Sequence, residues 1–194
     1  MAATLAEKIL SAHLAEGTLE EGKEIGIRTV FNILGPLTCP AGARAQVLGV
    51  ADESLAEKMA QALKAIGSRH VLVVHGEDGL DEITVSGRSI VYELKDGAIK
   101  SYYVTPEDFG LKESPASGMA GGDARTNAEI LRNVLRGERG TPRDVVLMNA
   151  SAALVAGDKA KTLKHGVDLA REAIDSGAAL TKMEQLVKLT QSMS

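Results

Sequence analysis

Two apolar stretches, Ala45-Gln-Val-Leu-Gly-Val50 and His70-Val-Leu-Val-Val-His75, decide the fold of this 194-residue chain. The residues between them predict a helix, because Asp52 can cap its start, apolar side chains recur at helical spacing and Gly67 ends it. The second stretch is almost wholly apolar, which is typical of a parallel strand buried on both faces of a sheet. Strand, helix and strand therefore predict one βαβ unit.

The residues after this unit predict a short β-meander followed by helices. Three β candidates span residues 82–85, 89–94 and 99–104, and glycine-containing turns separate them. Apolar side chains then recur at helical spacing over residues 126–136, 144–156, 162–176 and 180–189. The predicted fold class is α/β, with a central partly parallel sheet, a βαβ unit, a short β-meander and C-terminal helices. At the other end of the chain, residues 4–15 predict an amphipathic helix.

Composition excludes several classes of function. Lys and Arg number 22 against 26 Asp and Glu, and this net charge of −4 argues against a nonspecific nucleic-acid binder. No apolar run approaches the roughly 20 residues that span a bilayer, and the first residues lack the pattern of a secretory signal. The single cysteine, Cys39, excludes an internal disulfide framework and metal sites built on thiolates. We therefore expect a cytoplasmic protein with neither nucleic-acid nor membrane partners.

The strongest chemical candidate is the acidic segment His75-Gly-Glu-Asp-Gly-Leu-Asp-Glu82, which begins where the buried strand ends. In open α/β sheets, ligands bind outside the carboxyl ends of the strands. Its four carboxylates are hard oxygen donors that suit magnesium, which is typically held by one or two carboxylates plus substrate phosphates. The segment is therefore a candidate magnesium site, and a solvated acidic turn is the alternative.

Two glycine-containing segments are weaker candidates. Residues 26–42 predict a short helix ended by Gly35-Pro36 and then a rigid turn, which could line a pocket or be a stiff connection. Gly121-Gly122-Asp123 precedes a helix and could present backbone N–H groups to a phosphate, although Asp123 is as easily a cap residue. No residue predicts a nucleophile, since Ser151 lacks the flanking glycines of a strained turn.

Four stretches together resemble anthranilate phosphoribosyltransferase, over roughly residues 22 to 190 and in unbroken order. They are Gly26-Ile-Arg-Thr-Val-Phe-Asn-Ile-Leu-Gly-Pro-Leu-Thr38, Val73-Val-His-Gly-Glu-Asp-Gly-Leu-Asp-Glu-Ile83, Gly121-Gly-Asp-Ala124 with Asn127-Ala128, and Asn149-Ala-Ser-Ala-Ala-Leu-Val155 with residues 166–177. The resemblance implies a phosphoribosyltransferase or nucleoside phosphorylase-like domain. It also implies transfer of phosphoribosyl from phosphoribosyl pyrophosphate to anthranilate, in tryptophan biosynthesis, with release of pyrophosphate.

The resemblance also assigns roles to particular residues. It implies magnesium as cofactor, with Asp81 and Glu82 as its ligands, and it places Gly35 at the anthranilate channel. It implies no nucleophilic side chain and no general base of the usual kind. Nucleoside phosphorylase chemistry is disfavoured, because the motifs are those of the anthranilate enzyme.

The chain departs from the family pattern in several places. Most of the family's helical domain, its pyrophosphate loop Gly-Thr-Gly-Gly-Asp and its motif Lys-His-Gly-Asn do not occur in the sequence. Gly22 stands where the family usually has an arginine for the anthranilate carboxylate, and Cys39 replaces the usual asparagine. Residues 1–20 are predicted to be a helical segment without family match, and residues 21–194 to be the α/β domain.

These departures predict little or no activity for this truncated chain alone. The alternative is a noncatalytic scaffold, which could be a recombined or engineered fragment, or one subunit of a split enzyme. We also expect uncovered apolar surface that favours self-association.

Overall fold

The computed structural model describes residues 14–16, 26–27, 35–38 and 42–193 of the chain. The chain divides into two compact units, Met1–Ala43 and Arg44–Ser194, and each is described by itself. This division lies further along the chain than the boundary predicted between residues 20 and 21. That boundary rests on family resemblance and stays a prediction.

The described part of the first unit contains two short paired strands. Strand β1 (Leu14–Glu16) runs antiparallel to β2 (Gly26–Ile27). The helix predicted over residues 4–15 is therefore wrong at its last two residues, and its earlier residues lie outside the described ones. Helical spacing of apolar side chains is a local signal, and it does not reveal backbone pairing with a segment further along the chain.

The second unit is built on a four-stranded sheet in the order β3-β4-β5-β6. Strand β3 (Ala45–Gly49) is parallel to β4 (His70–Gly76), and β5 (Ser89–Lys95) and β6 (Ala98–Val104) follow as antiparallel neighbours. The β5–β6 turn has positive φ at both Asp96 (48°) and Gly97 (82°), which suits a two-residue hairpin loop. The predicted partly parallel sheet is confirmed, and β5 and β6 correspond to the second and third of the three β candidates of the meander.

Helix α1 (Glu53–Ala65) connects the two parallel strands and completes the predicted βαβ unit. The Asp52 side chain caps its start by accepting a hydrogen bond from the Ser54 N–H at 2.9 Å. Its inner face packs against β4 and β5 through the buried residues Ala56, Met59, Ala60 and Leu63. Nearly the whole length of β4 is buried, as expected for a strand in the interior of the sheet.

Four further helices follow the sheet, as the sequence predicts. They are α2 (Ala124–Leu135), α3 (Thr141–Ala156), α4 (Leu163–Asp175) and α5 (Ala178–Ser192). Helices α3 and α4 pack closely, because Ser151 Oγ donates a hydrogen bond to the Leu163 carbonyl and Gly166 leaves no room for a Cβ beside Ser151. Since α3 also contacts β3 and β4, this pair of helices is anchored to the sheet.

Residues 82–85, predicted as a strand, form an irregular segment instead. Ile83, Thr84 and Val85 are all buried, so this segment lacks the alternation of buried and exposed side chains that a half-buried strand has. The backbone groups of Ile83 and the Thr84 N–H bond to side chains, and the Thr84 N–H donates to Ser89 Oγ at 2.9 Å. Side chains thus satisfy backbone groups that a strand would satisfy with a neighbouring strand.

Helix α5 exposes much of its apolar surface. None of its residues is buried, and Leu186, Leu189 and the following Met193 are 59%, 57% and 74% exposed. Self-association through such surface stays a prediction. None of the helices in the described part of the chain combines the length and the apolar character needed to cross a membrane.

Candidate functional site

The acidic loop, residues 77–88, joins β4 to β5 and carries the four carboxylates singled out by the sequence. Its beginning and end are held together, because the Glu77 N–H donates to the Arg88 carbonyl at 2.9 Å. At the end of β4, the Gly76 N–H donates to the Leu80 carbonyl of the loop, also at 2.9 Å. The loop is therefore a compact structure at the carboxyl end of a buried strand.

The loop also lies directly against the neighbouring strand β3. A Cβ at Gly49, the last residue of β3, would overlap the Asp81 carbonyl oxygen and lie 2.6 Å from its carbon. Glycine at this position therefore permits the close approach of two backbones. Beside this contact, His75 Nδ1 donates to the Val50 carbonyl at 2.8 Å and ties the ends of the two strands together.

Asp78 is engaged inside the loop. Its carboxylate accepts hydrogen bonds from Thr84 Oγ1 at 2.5 Å, from Ser86 Oγ at 2.6 Å and from the Leu80 N–H at 3.3 Å. Burial alone would raise the pKa of Asp78, but these hydrogen bonds outweigh it and lower the pKa below its usual range. Asp78 is therefore ionised, and its hydrogen bonds stabilise the loop.

Glu77 is engaged as well. The Arg88 guanidinium donates to both of its carboxylate oxygens, from Nε at 3.1 Å and from Nη2 at 2.7 Å. The same guanidinium lies 4.8 Å from the centre of the Tyr103 ring. Two of the four carboxylates thus serve the structure of the loop.

The remaining two, Asp81 and Glu82, are consecutive and form no ion pair with any described residue. Asp81 is exposed and Glu82 is half-buried. Burial raises the pKa of Glu82, and the negative charges of Asp81 and Asp78 raise it further. A bound cation would relieve this repulsion, so the donor set fits magnesium.

Protein side chains alone do not complete a ligand set here. Within the described ranges, no three His, Cys, Asp or Glu side chains are grouped so that they could hold a metal ion. Two carboxylates still fit magnesium, which usually keeps several waters and takes further oxygens from substrate phosphates.

Asn149, on helix α3, holds the residue that follows this pair. Its Oδ1 accepts from the Ile83 N–H at 3.0 Å, and its Nδ2 donates to the Ile83 carbonyl at 3.0 Å. Reasoning from the sequence missed this role, although Asn149 lies in one of the stretches that carry the resemblance. The available signal was a polar amide beside the buried apolar residues of α3, including Met148 and Ala152.

The N–H of Gly122 is not a free donor for an anion. Asp123 caps α2 by accepting a hydrogen bond from the Thr126 N–H at 2.8 Å, which lowers the pKa of Asp123. The Gly122 N–H donates to Asn127 Oδ1 at 2.9 Å. These bonds favour the interpretation of Asp123 as a helix cap over the interpretation of residues 121–123 as a phosphate site.

Gly35 lies in the first unit, exposed, in a helical turn of residues 35–37. The Thr38 N–H donates to the Gly35 carbonyl at 3.3 Å. The helix predicted to end at Gly35-Pro36 therefore includes residue 37. The binding role of Gly35 stays a prediction.

Comparisons with known proteins connect this geometry to a family. The sequence model described as "Glycosyl transferase family, a/b domain" matches residues 6–180, so the match begins inside residues 1–20, for which no match is predicted. Anthranilate phosphoribosyltransferase from Citrifermentans bemidjiense is 56% identical over 168 residues, which are 87% of this chain and 48% of the relative. The enzyme of that name from Methanobrevibacter smithii is 49% identical over 170 residues, covering 88% and 51%.

Solved structures agree. The crystal structure of anthranilate phosphoribosyltransferase from Thermus thermophilus matches with a TM-score of 0.76 and 45% identity, over 84% of this chain and 48% of that one. Anthranilate phosphoribosyltransferase from Saccharomyces cerevisiae in complex with PRPP and Mg matches with a TM-score of 0.75 and 33% identity, over 86% and 48%.

The chain spans about half the length of the curated relatives it matches. The resemblance to anthranilate phosphoribosyltransferase that the four stretches predict is confirmed, and so is the α/β fold. The chain therefore belongs to the glycosyl transferase family, in which it matches the α/β domain.

Proposed function

We propose that Asp81 and Glu82 bind magnesium for phosphoribosyl transfer from phosphoribosyl pyrophosphate to anthranilate, the reaction of the enzymes that the chain resembles. One observation carries the proposal. These two consecutive carboxylates, in the loop that follows buried strand β4, have no ion-pair partner among the described residues, whereas Glu77 and Asp78 beside them are engaged. The complex of the yeast relative with PRPP and Mg supports magnesium as the cation.

In this transfer, the bond between ribose C1 and a diphosphate oxygen breaks. A bond between C1 and the anthranilate nitrogen forms, and the nitrogen loses a proton. Magnesium, when bound, neutralises charge on the departing diphosphate. Asp81 and Glu82 supply the negative charge that holds the cation, and the hydrogen bonds of the acidic loop determine where they stand. Because the pKa of Glu82 is raised, protons compete with the cation as the pH falls.

This chain by itself should catalyse little or no transfer. Gly-Thr-Gly-Gly-Asp and Lys-His-Gly-Asn, which the resemblance places at the pyrophosphate and near the substrates, do not occur in its sequence. Orienting the reactants accounts for about 7–11 kcal/mol of a barrier, more than one cation site replaces. The lack of these two motifs in the sequence also favours the alternative of a noncatalytic scaffold or one subunit of a split enzyme.

Calorimetry with magnesium and pyrophosphate tests the site. We expect weak magnesium-dependent binding of pyrophosphate, lost in the double variant Asp81→Asn, Glu82→Gln. A matched control, Glu172→Gln with Glu184→Gln, removes the same two negative charges from exposed positions on α4 and α5 and should bind like the wild type. Equal binding by the first double variant and the wild type would show that the site assignment is wrong.

Anthranilate fluorescence tests the activity. With phosphoribosyl pyrophosphate and magnesium present, we expect consumption of anthranilate by the isolated chain to stay near background. Turnover at ordinary enzymatic rates would contradict the expectation that this chain alone is inactive or weakly active. It would also remove the support for a scaffold role.

A further inference from the structure

Asn149 joins two parts of the chain that lie 66 residues apart in sequence. Its amide group bonds both backbone groups of Ile83, accepting from the N–H and donating to the carbonyl, each at 3.0 Å. Nδ2 also donates to the Val145 carbonyl at 3.1 Å, one turn earlier in α3. This third bond fixes the amide on its own helix, so Ile83 is tied to α3 rather than to a freely rotating side chain.

This clamp acts on the candidate metal ligands through the backbone. The N–H of Ile83 belongs to the same planar peptide unit as the carbonyl of Glu82. A hydrogen bond to that N–H therefore fixes the orientation of the peptide plane that adjoins the Cα atom of Glu82, from which the side chain extends. The Ile83 side chain is 1% exposed, so core packing anchors the residue as well.

On the other side of the pair, the Asp81 carbonyl lies against Gly49 of β3. The dipeptide Asp81-Glu82 is thus held between a strand and a helix. Helix α3 is suited to this task, since it has 16 residues and is packed against α4 and the sheet. A ligand pair supported by regular elements is placed more accurately than one on an unsupported loop.

We propose that Asn149 is a positioning residue for the cation site, which sets the affinity of Asp81 and Glu82 for a divalent ion through the backbone of Ile83. The inference rests on the proposed function of that pair. Partners that orient metal ligands without touching the metal typically change the metal affinity 10–100-fold when they are mutated.

The chain contains a matched control for this arrangement. Asn127, on helix α2, clamps Gly122 with the same two bonds, accepting from its N–H at 2.9 Å and donating to its carbonyl at 2.9 Å. Gly122 carries no side chain, and its neighbour Asp123 is engaged as the helix cap. Substituting Asn127 therefore breaks an equivalent clamp on a residue that is not next to the proposed metal ligands in the chain.

Manganese, a spectroscopic substitute for magnesium, provides the readout. Binding of Mn²⁺ to the full chain is followed by electron paramagnetic resonance in the wild type, Asn149→Ala, Asn149→Leu, Asn127→Ala and the Asp81→Asn, Glu82→Gln double variant. We expect both Asn149 variants to bind Mn²⁺ about 10–100-fold more weakly. Asn127→Ala should bind within about twofold of the wild type, and the double variant should show no specific binding.

The outcomes separate this inference from the proposed function. If the double variant loses binding but both Asn149 variants keep the wild-type affinity, the positioning role is wrong and the metal site stands. A loss in Asn127→Ala as large as that in the Asn149 variants also overturns the positioning role. If the wild type shows no binding that depends on Asp81 and Glu82, the proposed site fails, and the role of Asn149 fails with it. Asn149→Leu fills the side-chain volume and keeps the test available if the alanine variant does not fold.

Discussion

Substituting Gly49 by alanine tests whether the close approach of β3 and the acidic loop matters. The added Cβ would lie 2.6 Å from the Asp81 carbonyl carbon, whereas carbon atoms pack at about 3.5 Å or more. The carbonyl oxygen lies closer still to this Cβ, so the Asp81 backbone must move by more than about 1 Å, since both neighbours are backbone atoms that cannot rotate away. Overpacking of this kind costs about 1–3 kcal/mol, which for a chain of this size lowers the melting temperature by about 2–12 °C.

The same displacement should reach the candidate metal ligands. A ligand pair moved by more than about 1 Å loses its geometry, and we expect Mn²⁺ affinity to fall by at least about tenfold. The control is Gly97→Ala, which places alanine at a φ of 82° in the β5–β6 turn and strains the backbone away from the loop. It should lower the melting temperature but leave Mn²⁺ affinity unchanged. A Gly49→Ala variant with the melting temperature and Mn²⁺ affinity of the wild type would refute this reasoning.

Three further substitutions test packing and charge. Gly166→Ala places a Cβ 2.9 Å from Ser151 Cα, so calorimetric melting should show a loss of about 1–3 kcal/mol. The pKa of Glu82 is raised in the fold, so its ionised form opposes folding, and stability should rise as the pH falls from neutral toward 4.5. Glu82→Gln should be more stable than the wild type at pH 7 and should lack this dependence in urea titrations. The pKa of Asp78 is lowered, so its contribution is present above its usual pKa of 3.8 and is lost as the pH falls through the lower folded value. Asp78→Asn should therefore be less stable at pH 7, and its difference from the wild type should shrink below pH 3.8.

The elements that the sequence predicted correctly are those whose signals are local. The βαβ unit follows from two apolar runs and a capped helical pattern between them. The strand predicted over residues 82–85 is wrong for the opposite reason, because the conformation of this segment depends on residues outside it. Ile83 and Val85 have the spacing of a strand, but Thr84 between them is buried too, because Asp78 and Ser89 satisfy its polar groups. No pattern within the segment contains that information.

The candidate site also combines features that local sequence signals predict with contacts that they do not predict. Asp81 and Glu82 could be chosen from sequence because they follow a buried strand and match a family motif. What could not be read was which of the four carboxylates are engaged. That depends on Arg88, which approaches Glu77 from across the loop, and on Thr84 and Ser86, whose hydroxyls donate to Asp78.

The contacts around the acidic loop favour a cation site over a solvated acidic turn. In a solvated turn, like-charged side chains can move apart, and no contacts with other elements are needed to fix the backbone that carries them. Here Gly49 and Asn149 fix the backbone on both sides of Asp81 and Glu82, although burial and, after it, the charges of Asp81 and Asp78 raise the pKa of Glu82. Two of the stretches that carry the family resemblance, ending at Ile83 and beginning at Asn149, meet in the hydrogen bonds between those two residues. Holding like charges close together destabilises the fold. A divalent ion bound between them would reduce this repulsion, so the arrangement is consistent with a site that binds such an ion.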